Sequence, residues 1–232
     1  MVRQIFYSGL LAGVIAGLFL FGAQQLRLVP LVLEAEVFEN AAAAPAGANG
    51  AADAEVAGVL AADGLASGDG FGRIAFSLLS NVVTAVGFGL VLAGVMALSR
   101  REIDWRQGVV WGLAGYLAVH LSPALGLPPE LPGMATEADL IARQTWAMAT
   151  TVLTAAGLAL LAFPKNRLLK LLGVVAIVLP HIVGVQGRVH VEHDVPADLV
   201  AQFIVATLVI TALFWAFLGG LTSYFFARTR AR

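Results

Sequence analysis

The sequence predicts an all-α, polytopic membrane protein with six transmembrane helices in a single membrane domain, residues 1–232. Three observations carry that prediction. Of 232 residues, 59% are hydrophobic and 12% charged, with mean hydropathy +0.86, whereas a soluble domain carries about 25% charged residues. Six apolar stretches approach the roughly 20 residues that cross about 30 Å of hydrocarbon. The charges alternate between the two sides of those stretches. Thirteen of fifteen Asp and Glu fall in three connections on one side, and ten of fourteen Lys and Arg fall on the other side or at the termini.

The first span covers about 4–29 and stops at Pro30. It reads as a membrane span rather than a cleaved signal. Its apolar core exceeds the roughly 7–15 residues of a signal h-region, and Glu34, Glu36 and Glu39 precede the alanines that would offer a cleavage site. The second span, about 73–98, ends before Ser99-Arg100-Arg101. The third, about 106–122, stops at Pro123. The fourth, about 142–163, runs up to Pro164. The fifth, about 168–185, follows Lys165 and Arg167. The sixth, about 199–227, precedes Arg228, Arg230 and Arg232. Each is predicted helical, because no water satisfies backbone groups in lipid.

Lys and Arg favour the cytoplasmic side. The basic connections place both termini in the cytoplasm of a bacterial inner membrane. Residues 30–72, 123–141 and 186–198 then lie outside, with all four histidines in that outer half or beyond it. About 40–70 is low in complexity and is expected to be a mobile outer loop. Residues 29–39 mix apolar residues with carboxylates and read either as an interfacial helix or as a continuation of span one. The segment 123–133 holds four prolines and is expected to be stiff, non-helical and a cap on the outer mouth.

A duplicated hairpin is expected in the last four spans. Ala138-Asp139-Leu140 and Ala197-Asp198-Leu199 open spans four and six, and His120 and His181 stand near prolines upstream of them. Spans one and two offer a looser third copy. Repeated hairpins are one of the known transporter symmetries. Gly108-x-x-x-Gly112 permits a close helix approach.

Every span carries a polar side chain in its outer half: Gln24 and Gln25, Asn81, His120, Gln144, His181 and Gln202. Polar groups inside a bilayer face a cavity or one another. One reading is a substrate pathway ringed by Gln24, Gln25, Asn81, Gln144 and Gln202, with His120 and His181 as metal ligands. The other is interhelical hydrogen bonding. The last outer connection holds His190, Glu192, His193 and Asp194. Imidazoles three apart with neighbouring carboxylates suit a borderline divalent ion such as cobalt, nickel, zinc or copper, or they form a solvated loop. Glu34, Glu36, Glu39, Glu192 and Asp194 are candidates for collecting cations electrostatically on the outer face.

No cysteine is present, which excludes disulfides, thiolate metal sites and cysteine nucleophiles. No phosphate-binding G-x-x-x-x-G-K-[ST] loop and no H-E-x-x-H or G-x-S-x-G motif occurs. An enzyme, a bound prosthetic group and a nucleic-acid partner are therefore not expected.

Several segments together resemble the CbtA family, cobalt transporter subunits of bacteria. They are Gln24-Gln25 followed by Val29-Pro30-Leu31-Val32-Leu33-Glu34-Ala35-Glu36-Val37-Phe38-Glu39, then Asp104-Trp105-Arg106-Gln107-Gly108. Leu121-Ser122-Pro123-Ala124-Leu125-Gly126-Leu127-Pro128-Pro129-Glu130-Leu131-Pro132-Gly133 and Leu179-Pro180-His181 complete the set. The low-complexity residues 40–70 depart from the more varied acidic loop that the resemblance implies. The family implies a small membrane protein, often paired with a short single-span partner bearing histidines and linked to cobalt supply. The leading expectation is a permease subunit for a divalent transition metal, Co²⁺ above all. The alternative is a non-transporting membrane subunit packed into a larger complex.

Overall fold

The structure is a computed structural model that describes residues 2–43, 70–99, 101, 103–132, 134, 139–185 and 195–230. Among these residues it is all-helical. The helices are α1 (Val2–Ala43), α2 (Gly70–Ser99), α3 (Trp105–Gly126), α4 (Leu140–Ala162), α5 (Arg167–Val183) and α6 (Ala197–Arg230). Five of them are long and apolar enough to cross a membrane; α5, with 17 residues, is the exception.

Helix ends follow local chemistry. Asp104, Asp139 and Asn166 cap α3, α4 and α5 by accepting from backbone N–H groups of the first turn, which satisfies donors a helix start leaves bare. The matched residue Asp198 lies inside the first turn of α6 and is not a cap of this kind. The helix α5 ends at Gly184, whose φ of 69° is cheap only for glycine.

The first span does not stop at Pro30. Residues 29–39 continue span one, and α1 runs unbroken for 42 residues with Pro30 inside it, about 63 Å at 1.5 Å per residue. Residues 40–43, expected in the mobile loop, are its last turn, rich in helix-favouring alanine. The remainder of that loop lies outside the described residues. Two apolar side chains of this extension close together with two later segments. Leu31 and Ala35 pack with Leu131 of the proline-rich segment and with Val195 and Leu199 at the start of α6. Leu131 is 3% exposed, so the segment beyond Gly126 covers the α1–α6 seam, whereas residues 123–126, expected to be non-helical, are the last turn of α3. Arg143 donates to Glu130 at 2.7 Å and ties the segment to α4.

Water gives no hydrophobic drive between helices in lipid, so close packing of small residues has to hold them. In α1, Ser8, Ala12 and Ala16 are buried, beside Gly9, Gly13 and Gly17. A side chain at any of these three glycines would strike the backbone of Leu90, Val86 or Val82 on α2. The predicted Gly108–Gly112 approach is present: both glycines face α6, at Gly219, Ser223 and Trp215. Gly157 and Gly173 do the same for α4 and α5.

The pairing does not follow the expected hairpin repeats. The main partners are α1 with α2 and α6, α3 with α6, and α4 with α5, while α5 and α6 share no extended contact among the described residues. Glycines set the close approach of three of these pairs, α1 with α2, α3 with α6 and α4 with α5. Met96, Phe214, Trp215 and Leu218 centre the core where α1, α2, α3 and α6 meet. The α4–α5 pair docks from one side, through α4 onto the outer end of α3. Gln4 Nε2 donates to the Phe226 carbonyl at 2.8 Å, so the two ends of the chain lie on one face.

Candidate functional site

The third helix changes geometry in its C-terminal half. Residues Leu117–Leu121 form a π-helical turn between two α-helical stretches, and the Ser122 N–H bonds back to the Leu117 carbonyl. Pro123 follows directly. A proline ring has no N–H and clashes with the carbonyl four residues back. The wider π turn relieves that clash, and such turns collect at functional sites. This one holds His120, with Ser122 directly after it.

His120 sits in an aromatic cage. Its ring stacks on Tyr116 and meets the edges of Phe88 and Trp215, with centroids 6.5, 6.1 and 5.9 Å away. Trp215 Nε1 donates to His120 Nδ1 at 3.0 Å. An indole N–H only donates, so Nδ1 keeps its lone pair toward Trp215 and the ring proton rides on Nε2. Binding a metal ion through Nε2 would require the proton to move and the Trp215 bond to break.

His181 lies on the opposite side of α3. Its Nε2 is 3.1 Å from Ser122 Oγ, which is 2.8 Å from Thr154 Oγ1. The indole of Trp146 meets the His181 ring edge-on at 5.9 Å, and Trp146 Nε1 donates to the Pro180 carbonyl at 3.1 Å. Trp146 also fills the space beside Gly126. Ser122 and Thr154 are 5% and 3% exposed. One turn from Trp146 and Thr154, the hydroxyl of Thr150 is buried with no partner. His120 and Ser122 are two residues apart, about 200° around a helix, which is why the two imidazoles reach different neighbours.

The remaining polar residues scatter. Asn81 Nδ2 donates to Gln24 Oε1 at 2.8 Å and to the Ser77 carbonyl at 2.9 Å, an interhelical bond between α1 and α2. Gln25 is half-buried, Gln144 is exposed on α4, and Gln202 is exposed on α6. Thus the expected ring is not formed within one chain: these groups occupy separate interfaces. Glu34 and Glu39 are exposed and Glu36 half-buried on the α1 extension. As a helix, the spacing i, i+2, i+5 turns Glu34 about 200° from Glu36, so the three carboxylates do not converge. His190, Glu192, His193 and Asp194 lie outside the described residues. Among the described residues, no group of three or more His, Asp or Glu side chains is placed to hold a metal ion.

Sequence reading assigned no site role to Ser122, Thr154, Trp146 or Trp215, which contact the two histidines or their partners. A signal for Thr154 was present, since Thr150 and Thr154 are one turn apart on an apolar helix. The Trp215–His120 bond spans 95 positions and left no local trace.

No curated protein and no solved structure shows a significant match to the chain. A family model described as probable cobalt transporter subunit, CbtA, matches residues 2–227. With that match covering nearly the whole of a multi-helix membrane chain, the protein belongs to the CbtA family of probable cobalt transporter subunits.

Proposed function

We propose that this chain is the membrane permease subunit through which a divalent transition metal, cobalt, crosses a bacterial inner membrane. The family match over residues 2–227 carries the reading. On it, α5 is a sixth span: 17 residues reach about 25 Å, and Lys165 and Arg167 extend to the headgroups. The positive-inside bias puts both termini in the cytoplasm. Glu34, Glu36 and Glu39, with His190, Glu192, His193 and Asp194, gather cations outside. The ion then meets His181, held by uncharged Ser122, while His120 stays tied to Trp215 until displaced. Gln24, Gln25 and Asn81 offer oxygen ligands at similar depth; Gln144 and Gln202 face outward and are left out of the path. A membrane potential supplies about 2.3 kcal/mol per charge per 100 mV, and about twice that for a divalent ion.

Cobalt uptake by cells carrying His181→Ala tests the site, with a fall in uptake at unchanged membrane abundance expected. Full uptake in the His120→Ala, His181→Ala double variant would remove both histidines from the path.

One observation favours the second reading, a non-transporting subunit of a larger complex. Among the described residues no three His, Asp or Glu side chains converge, and on this reading another subunit completes the metal site. A small single-span, histidine-bearing membrane protein is the partner proposed. Flux in liposomes holding the chain alone supports the permease. Flux that appears only with the partner, and survives loss of both His120 and His181, supports the second reading.

A further inference from the structure

An open groove of about 470 Å³ lies between α1 and the outer half of α6. Ala201, Val205, Ala206 and Val209 line it on α6, and Arg27 of α1 stands beside Gln202 at its upper end. The two helices run antiparallel, since Phe19 packs on Phe217 and Gln4 bonds Phe226. From Gln202 the groove therefore descends toward the bilayer centre as far as Ile210, about 12 Å at 1.5 Å per residue.

Arg27 is exposed, and none of the described residues hydrogen-bonds or ion-pairs with it. It is left so although Glu34 and Glu36 stand further along the same helix. A guanidinium at the edge of the hydrocarbon reaches to the headgroups, where an anionic one attracts it. Its planar fork matches phosphate oxygens two at a time. Below it the groove is apolar, with Val205 and Val209 60% and 52% exposed and small Ala201 and Ala206 leaving the space.

We propose that this groove binds one anionic phospholipid, with its phosphate on Arg27, a headgroup oxygen on the Gln202 carboxamide, and an acyl chain along Val205 and Val209. Charge and length select this occupant. The Arg27 guanidinium, which has no partner among the described residues, sits where headgroups lie. The groove is only about two helical turns deep before Phe19 and Phe217 fill the seam, which suits an acyl segment better than a crossing helix. The inference is independent of whether the chain transports metal.

The test is native mass spectrometry of the full chain in detergent, supplied with dioleoyl phosphatidylglycerol or dioleoyl phosphatidylcholine. Retention of the anionic lipid is expected to exceed that of the zwitterionic one about fivefold, the size of one Arg–anionic-headgroup interaction. Arg27→Gln removes the preference. Arg73→Gln, which changes another exposed cation outside the groove, leaves it intact. Val209→Phe, which fills the groove, lowers retention of both lipids. Equal retention of phosphatidylglycerol by the wild type and Arg27→Gln overturns the proposal, as does an equal loss in Arg73→Gln. Loss of the preference in excess inorganic phosphate names free phosphate as the ligand and also overturns it. Release of a protein partner by Arg27→Gln, with lipid retention unchanged, makes the groove a protein interface and overturns it too.

Discussion

Replacing Ser122 by alanine removes one oxygen that joins three helices. Ser122 Oγ on α3 reaches Thr154 on α4 at 2.8 Å and His181 on α5 at 3.1 Å. Polar pairs between membrane helices are worth about 0.6 kcal/mol on average and up to about 1.7 kcal/mol in double-mutant cycles. Two such bonds set the cost of Ser122→Ala at about 1–3 kcal/mol. The division between the two is set by burial. Thr154 is 3% exposed and has no other solvent to turn to. His181 is half-buried and recovers part of its bond. The Ser122–Thr154 coupling is therefore expected near the upper figure and Ser122–His181 near the average. The assay is unfolding in mixed dodecyl sulfate micelles of Ser122→Ala, Thr154→Val, His181→Ala and the two doubles containing Ser122→Ala. Couplings within about 0.3 kcal/mol of zero, the usual scatter of independent sites, for both pairs would refute the bridging role of Ser122.

Three further outcomes follow from the packing. Gly13→Leu drives a side chain into the backbone of Val86 and is expected to cost about 1–3 kcal/mol by overpacking, read as a lower unfolding midpoint in the same micelles. Asn81→Leu strands Gln24 and costs about 1–2 kcal/mol, whereas Gln24→Leu, Asn81→Leu together come close to neutral because neither polar group is left unpaired; a double equal to the sum of the singles contradicts the bond. Glu130→Gln breaks the ion pair with Arg143, whose side chains are 27% and 23% exposed, so a loss below about 1 kcal/mol that fades at high salt is expected in thermal melts.

The helices and their order were legible because hydropathy is a local quantity, although five rather than six are long and apolar enough to cross a membrane. Partner choice was less so. Gly108-x-x-x-Gly112 announced a close approach, yet nothing near it named α6 as the partner. Gly9, Gly13 and Gly17 carry the same signal in a stretch read only for its hydropathy. Pro30 was taken as a stop because proline usually ends helices; here it lies in the middle of α1, and the chain beyond it is held by Leu31 and Ala35 against Leu131, Val195 and Leu199. Matched pentapeptides suggested like hairpins, but Asp139 caps a helix and Asp198 does not, so similarity of letters did not carry similarity of role. The helix positions of the polar residues were legible. Their directions were not, because direction around a helix depends on phase, and the π turn shifts that phase.

That turn makes α3 a helix with two indexings. Residues before it are numbered against α6, through Gly108 and Gly112, and residues after it against α4 and α5, through Ser122 and Gly126. One extra residue separates the two countings. Deleting one residue from 117–121 would restore a regular spiral and keep everything beyond in place, whereas straightening the turn at full length would rotate everything beyond by about 100°. Ser122 would leave Thr154, Gly126 would leave the indole of Trp146, and the α4–α5 pair would lose its seat while every residue type on α3 stayed suitable. The π turn itself is thus what seats the α4–α5 pair, and a residue that made it regular at full length would unseat that pair without touching it.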